Sequence, residues 1–295
     1  SESMNHRKAL NIGINQFKDY PEFTLRGCVN DVENFSRVLI GNLGFSEQDI
    51  VELVDEQATK ANIVNTLKSI VKDARQGKYS YIVLKLSMHG TQIPDETATE
   101  VDQMDEAFVP YDVKQIGDDW DREHIIVDDE LAEILSALPS NVLFEGFADT
   151  GHSSTRIRMK ESSEAIAPVQ EVAPAIINRY VEPIRRSESR STTVLKEPDL
   201  QRHGMHYALT DYDMRNYVWW SGCRDDQTAA DADIQEGGGW NGAFTYYLCD
   251  EIRKFGNRKT RSALMDSIRA VLAGRYTQVP QLHSRPEYHQ LPIGS

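Results

Sequence analysis

The feature that most constrains this 295-residue chain is a repeated change of hydrophobic period, from short apolar runs to helical spacing and back. Ala9 to Ile14 is one such run and predicts a buried first strand. From Asp31 onward, Val32, Phe35, Val38 and Leu39 recur at helical spacing, and Gly44 ends that helix. Thr59 stands where a cap belongs, ahead of Ile63, Val64, Leu67, Ile70 and Val71 on one face. Tyr81 to Leu86 predicts a strand, too short and β-rich for a helix. Asp128 and Asp129 open a helix through Leu131, Ile134, Leu135 and Leu138, with Pro139 beyond it, and Val142 to Ala148 is a further strand. Strands alternating with amphipathic helices predict an α/β fold with a mainly parallel central sheet covered on both faces.

The pattern lapses between about 153 and 202. That stretch is rich in Ser, Arg, Glu and Pro without periodicity, and it reads as a long loop or partly disordered insert. It separates a part spanning 8–152 from one spanning 203–285. In the second part, Met205 to Leu209 and the strand Tyr217 to Ser221 precede helices over Ala243–Ile252 and Ala263–Leu272. Three consecutive glycines between Glu236 and Trp240 predict a mobile loop.

Composition narrows the function classes. A net charge of -14 argues against nucleic acid and permits cationic partners, including basic peptides and divalent metals. No apolar run approaches the ~20 residues that span a bilayer, and no signal-peptide pattern opens the chain, so neither membrane nor secretion is expected. Cys28, Cys223 and Cys249 are widely spaced without a CxxC pair. They form neither a disulfide framework nor a zinc pattern, and a reducing cytoplasmic setting fits them.

In an open parallel sheet, ligands and catalytic groups collect beyond the carboxyl ends of the strands. Three clusters are placed there: Gly27-Cys28-Val29-Asn30-Asp31, Ser87-Met88-His89-Gly90-Thr91-Gln92, and Asp149-Thr150-Gly151-His152-Ser153. With Ser221-Gly222-Cys223-Arg224-Asp225-Asp226-Gln227-Thr228 and the acidic stretch between the second and third clusters, they stand in one order. In that order the chain resembles the caspase-like cysteine peptidases, and within them the metacaspases and orthocaspases, from about Lys8 to Leu282. Any one motif is weak and the ordered set is strong. The resemblance implies the caspase/haemoglobinase fold, one catalytic domain, and a monomer rather than the edge-strand dimer of animal caspases.

It also implies site residues. His89 matches the catalytic histidine, and Gly90 lets a substrate approach the backbone. The nucleophilic cysteine falls at Gly151, which has no side chain to form an acyl-enzyme. The chain is therefore expected to bind without cleaving. Engineered replacement and natural decay to a pseudoprotease both account for the glycine: intact His89, Asp31 and Asp149 favour the first, whereas Met88 and Ser154 lean towards the second. Metacaspases cleave after arginine or lysine, which calls for carboxylates at the base of the pocket. The matching positions are Asp31 and Asp149, with Cys28 and Ser87 beside them. Taken alone, Asp31 reads as a helix cap. Trp220 and Ser221, at a strand end, are weaker candidates for contacting substrate. Arg158, Lys160, Arg179, Arg185, Arg186 and Arg190 make the 153–202 segment a self-cleavage target.

Carboxylates in loops suit Ca²⁺, and Asp102, Asp128 and Asp129 match ligand aspartates of calcium-activated metacaspases, with Arg158 where a fourth would fall. Asp128 and Asp129 would equally serve as a favourable helix start. A metal-dependent hydrolase using the acidic cluster is a further, weaker reading.

Overall fold

The computed structural model describes residues 6–96, 103–153, 175–185 and 201–295. Its centre is a six-stranded sheet. Strands β1 (Arg7–Gly13), β2 (Ile50–Val54), β3 (Tyr81–Ser87), β9 (Leu143–Asp149), β12 (Tyr217–Ser221) and β15 (Gln281–Ser284) lie in the order β15-β12-β9-β3-β1-β2. Every neighbouring pair is parallel except β12 with β15, which closes one edge antiparallel. The chain places β2 on one side of β1 and β3 on the other, so the switch point lies between β1 and β3. The strand-end clusters converge there.

Side-chain alternation along the strands divides the interior into two cores. Leu10 and Ile12 of β1, Ile82, Leu84 and Leu86 of β3, and Trp219 of β12 pack on the face carrying α2 (Lys60–Arg75), α3 (Asp128–Ser136) and α4 (Met205–Asp211). Ala9, Tyr81, Val83, Val218 and Trp220 pack on the face carrying α1 (Cys28–Asn42), α5 (Ala243–Phe255) and α6 (Arg261–Ala273). The short α7 (Pro286–His289) follows β15. Thr59 accepts a hydrogen bond from Asn62 N–H and caps α2 as the sequence predicts, and Gly44 (φ 75°) follows the end of α1.

Smaller sheets sit at the carboxyl end. One comprises β4 (Gly90–Pro94), β5 (Gln103–Phe108), β8 (Ile126–Val127) and β11 (Gln201–His203). Another comprises β10 (Ile176–Asn178), β13 (Ala230–Ile234) and β14 (Gly239–Gly242), and β6 (Gln115–Ile116) pairs with β7 (Asp119–Trp120). Two stretches read from the sequence as loops gain detail here. The triple-glycine stretch is a turn between β13 and β14, with Gly238 and Gly239 at positive φ. Part of the 153–202 segment is ordered, because Ile176–Asn178 pairs antiparallel with β13. Among the described residues, no helix is long and apolar enough to cross a membrane.

Candidate active site

The loop after β3 and the loop after β9 meet closely enough that residue size decides the contact. A Cβ on Gly90 would strike the carbonyl oxygen of Gly151, so only glycine permits this approach. Both N–H groups point the same way, and both are satisfied by one acceptor. Gly90 N donates to the carbonyl oxygen of Arg179 at 3.0 Å, and Gly151 N donates to it at 2.9 Å. Two backbone donors converging on one carbonyl oxygen form the arrangement that stabilises an oxyanion.

His89 lies beside them, buried between Phe17 and Phe23, whose ring centroids are 5.7 and 6.2 Å away. Its Nε2 is 2.7 Å from the Phe23 carbonyl oxygen, which can only accept, so Nε2 carries the ring proton. The bare Nδ1 is buried without a hydrogen-bond partner. Burial lowers the imidazole pKa to about 4, the Phe23 carbonyl opposes this and the Arg179 cation adds to it. The ring is therefore neutral at pH 7. A Cβ built on Gly151 projects towards the Arg179 carbonyl but meets Thr228 Oγ1, with Arg179 O at 2.8 Å and Tyr180 Cβ at 3.0 Å, so a nucleophile there requires the docked segment to shift.

The side chain of Arg179 enters a closed pocket of three carboxylates. Its Nε and Nη2 donate to Asp231 Oδ1 at 3.0 and 2.7 Å, and Nη1 donates to Asp31 Oδ2 at 2.8 Å and to Asp149 O at 3.1 Å. Asp149 Oδ1 is 3.4 Å from Nη1. The carboxylates are held in turn: Asp31 by Gly242 N–H and Ser87 Oγ, Asp149 by Thr245 N–H and Oγ1, and Asp231 by the N–H groups of Arg26 and Gly27. Gly242 is excluded from carrying a side chain, since a Cβ there would meet Asp149 Oδ2, with Asp31 Oδ2 at 2.6 Å and Arg179 Nη1 at 2.7 Å. Burial pushes the Asp149 carboxyl up, with Arg179 opposing. Burial likewise raises the Cys28 thiol, again against Arg179, beside the same carboxylates.

The segment carrying Arg179 is clamped on both sides. Upstream it pairs with β13, and Arg179 N donates to Ala229 O at 2.9 Å. Downstream, Val181 N donates to Gly90 O and Thr91 Oγ1 to Val181 O, while Gln115 brackets the backbone of Ile184. The segment is thus an extended backbone paired on both sides, with its guanidinium in a carboxylate pocket and its carbonyl between two N–H donors.

The structure thus brings together His89, Gly90, Gly151, Asp31, Ser87, Asp149 and Cys28. Trp220 is elsewhere: fully buried, stacked on Phe147 and donating its indole N–H to Glu145 at 2.8 Å, it faces the second core. This corrects the expectation that it touches substrate, because the strand period turns it away from the cleft. Ser221 ends β12 beside Ala148 and is buried. Sequence reasoning missed Asp231, although Ala230, Ala232 and Ile234 alternate around it in β13.

His152, next to Gly151, is also buried. Its Nε2 is 2.6 Å from Glu106 Oε1 and its Nδ1 is 3.2 Å from Cys223 Sγ, and the Glu106 carboxylate holds its pKa well above the ordinary value despite burial. It braces the turn rather than facing Arg179. Of the expected metal ligands, Asp102 lies outside the described residues, as do Arg158, Lys160, Arg186 and Arg190 among the basic candidates. Asp128 is buried and its Oδ1 accepts the N–H of Asp129, while burial and the neighbouring Glu106 push its carboxyl well up. Asp129 instead joins Asp95 and Asp105, with one carboxylate oxygen from each within 4.8 Å of the others.

Residues 6–289 match the model of the caspase domain. The chain is 33% identical to metacaspase-1A of Aspergillus niger over 94% of its own length and 69% of the relative's. It is 30% identical to metacaspase-1 of Scheffersomyces stipitis, over 96% and 71%. In structure it is similar to protein GSU0716 of Geobacter sulfurreducens (TM-score 0.62, 19% identity, 97% of each chain). It is also similar to caspase-1 of Spodoptera frugiperda (TM-score 0.57, 11% identity, 95% of this chain and 86% of that one).

Proposed function

Because the chain belongs to the caspase-domain family, we propose that it is a cysteine-endopeptidase scaffold directed to arginine or lysine, silenced at Gly151, with Arg179–Tyr180 as its own cleavage site. The observation that carries this reading is the double placement of Arg179: its guanidinium among Asp31, Asp149 and Asp231, its carbonyl oxygen between Gly90 N and Gly151 N. Selection and chemistry then address one residue. A cysteine at position 151 would give its thiol proton to the bare Nδ1 of His89 and present the resulting thiolate to the Arg179 carbonyl carbon. Attack would load the oxygen with charge between the two N–H groups, and collapse would break the bond to Tyr180 as its nitrogen gains a proton from the imidazolium of His89. Water would then release the acyl group.

Glycine supplies no thiol, and the remaining cysteines do not replace it. Burial raises the Cys28, Cys223 and Cys249 thiols, and Cys223 faces His152 rather than the Arg179 carbonyl. The uncut segment therefore stays in the pocket, so a basic peptide supplied from outside has to displace Arg179 before it can bind. Three buried free thiols suit a reducing compartment.

The Asp95, Asp105 and Asp129 group fits a hard cation, and Ca²⁺ accepts such oxygen sets. The buried Asp128 Oδ2, which lacks a protein partner, adds a fourth carboxylate in the same neighbourhood. Bound calcium would offset the mutual repulsion of these acidic groups and hold β5, from which Glu106 reaches His152.

The second reading, a pseudoprotease acting by partner binding, draws on the same glycine. Gly151→Cys separates the two. We expect that variant to convert itself into two fragments, with a new amino terminus at Tyr180 found by mass spectrometry, and to cut peptides after arginine. An intact Gly151→Cys chain without activity on arginine peptides would favour the pseudoprotease, and cuts after acidic residues would overturn the pocket assignment.

A further inference from the structure

The pocket that receives Arg179 contains a second cation that the substrate does not touch. Lys85 lies on the central strand β3 and is fully buried. Its Nζ donates to Ser87 Oγ at 2.6 Å and, more weakly, to Leu86 O at 3.4 Å, so it bonds a hydroxyl and a carbonyl rather than a carboxylate. A buried ammonium without a direct counter-charge is costly, and a strand interior offers no structural need for one.

Hydrogen-bond polarity shows what it does. An ammonium only donates, so Ser87 Oγ accepts from Lys85 and must give its single proton to Asp31 Oδ2, 2.8 Å away. The relay therefore has one direction, and Asp31 can only accept. Its two oxygens are aligned by Ser87 and by Gly242 N–H, leaving Oδ2 pointed at Arg179 Nη1.

Charge leads to the same role. Asp31, Asp149 and Asp231 bring three negative charges, and Arg179 and Lys85 bring two positive ones, leaving one negative charge when the pocket is filled. Emptied, the pocket carries two with Lys85 and would carry three without it. Buried like charges favour uptake of a proton. Asp149 is the group to take it: burial already pushes its carboxyl up, with Arg179 pulling it back and Asp31 pushing further. A proton gained there would have to leave before a guanidinium could dock.

We propose that Lys85 is a positioning residue of the cation pocket, aiming Asp31 through Ser87 and offsetting one buried negative charge, so that an arginine side chain enters without first displacing a proton. This rests on the reading that the pocket selects the residue before the cut. The groups around Lys85 are Asp31 and Phe35 from α1, Asp149 from β9, Cys249 from α5 and Arg179 from the docked segment. Burial pulls its ammonium down, while Asp31 and Asp149 hold it up.

The test uses the full chain carrying Gly151→Cys, with kcat and KM followed against pH on a peptide ending in arginine. Adding Lys85→Met should raise KM about tenfold with kcat within about twofold, the mark of lost ground-state binding. It should also move the acid limb of kcat/KM upward by about one pH unit. Ser87→Ala cuts the relay but keeps the ammonium, and should raise KM in the same direction. The double variant should be no worse than the stronger single one, because the two changes remove one connected device. Unchanged KM and an unchanged acid limb in a folded Lys85→Met variant overturn the proposal. If that variant does not melt cooperatively, Ser87→Ala decides, and an unaltered profile there overturns it equally. A Gly151→Cys parent that never cuts after arginine refutes the underlying reading and the proposal with it, whereas an active parent with indifferent variants refutes the proposal alone.

Discussion

Replacing Arg179 by methionine in the chain as it stands should free the pocket without unfolding the protein. The guanidinium makes four hydrogen bonds, two of them to a single Asp231 oxygen, and is fully buried among carboxylates. Removing one partner of such a buried pair costs about 3–5 kcal/mol, because the opposite charges lose their counter-ion. Here the penalty has an outlet. The described stretch 175–185 can leave the cleft and admit water to Asp31, Asp149 and Asp231, so the loss should appear as weakened docking while the central sheet stays folded. At 1.4 kcal/mol per decade, the lower figure corresponds to about a hundredfold. Hydrogen exchange reads this directly, since Gly90 and Gly151 N–H are bonded to Arg179 O and Val181 N–H to Gly90 O. Their protection should fall about a hundredfold in Arg179→Met, while amides in the β1–β3 ladder hold theirs. Arg179→Lys keeps the charge and loses the fork, so it should lie between. Unaltered protection of Gly90 and Gly151 in Arg179→Met would refute the reasoning, since the segment would then be held by its backbone alone.

Acidification should destabilise the fold between about pH 6.5 and 4. His89, His206 and His283 all have folded-state values near 4, each lowered chiefly by burial, so in that window the unfolded chain binds protons that the folded chain refuses. His152 works the other way: its pKa is raised, and its contribution is fully present below the unfolded value and lost as pH rises through the folded one. Thermal melts at pH 7 and pH 5 should differ by roughly 5 °C or more. Replacing His206 and His283, whose rings stack 3.6 Å apart, with glutamine should narrow that gap. Calcium should release or absorb heat on titration into the chain, and Asp129→Asn should abolish the signal; an unchanged isotherm in that variant would remove Asp129 from the site.

The architecture was legible because it rests on period. Ala9 to Ile14, Tyr81 to Leu86 and Val142 to Ala148 are apolar runs broken only by Asn11, Lys85 and Glu145, close to what strands buried on both faces require. His89, Gly151, Asp31 and Asp149 were legible because they sit in loops at the ends of those strands, where motif and topology coincide. The pocket's third wall was less so. Asp231 lies in the short strand Ala230–Ile234, whose alternating Asp residues look like a solvated edge; Asp231 is buried and Asp233 exposed. Arg179 was one of nine basic residues in a segment without periodicity, and only its tertiary register with β13 distinguishes it. Trp220 was misread because Trp219 and Trp220 are adjacent in sequence and occupy opposite cores. Asp95, following Pro94 at the end of β4, meets Asp105 and Asp129 only through sheet pairing that local sequence does not encode.

The pairing of β9 with β12 has a bearing on what a cut at Arg179 could release. These strands belong to opposite sides of that bond, yet they run side by side through five registered residue pairs in the middle of the sheet. The arms at the bond are also exchanged: Ile176–Asn178 grips β13 from the far portion, while Val181 grips Gly90 and Thr91 from the near one. Severing the chain would therefore yield two interlocked pieces sharing a single interior, a nick in the covalent thread that leaves the folded object whole.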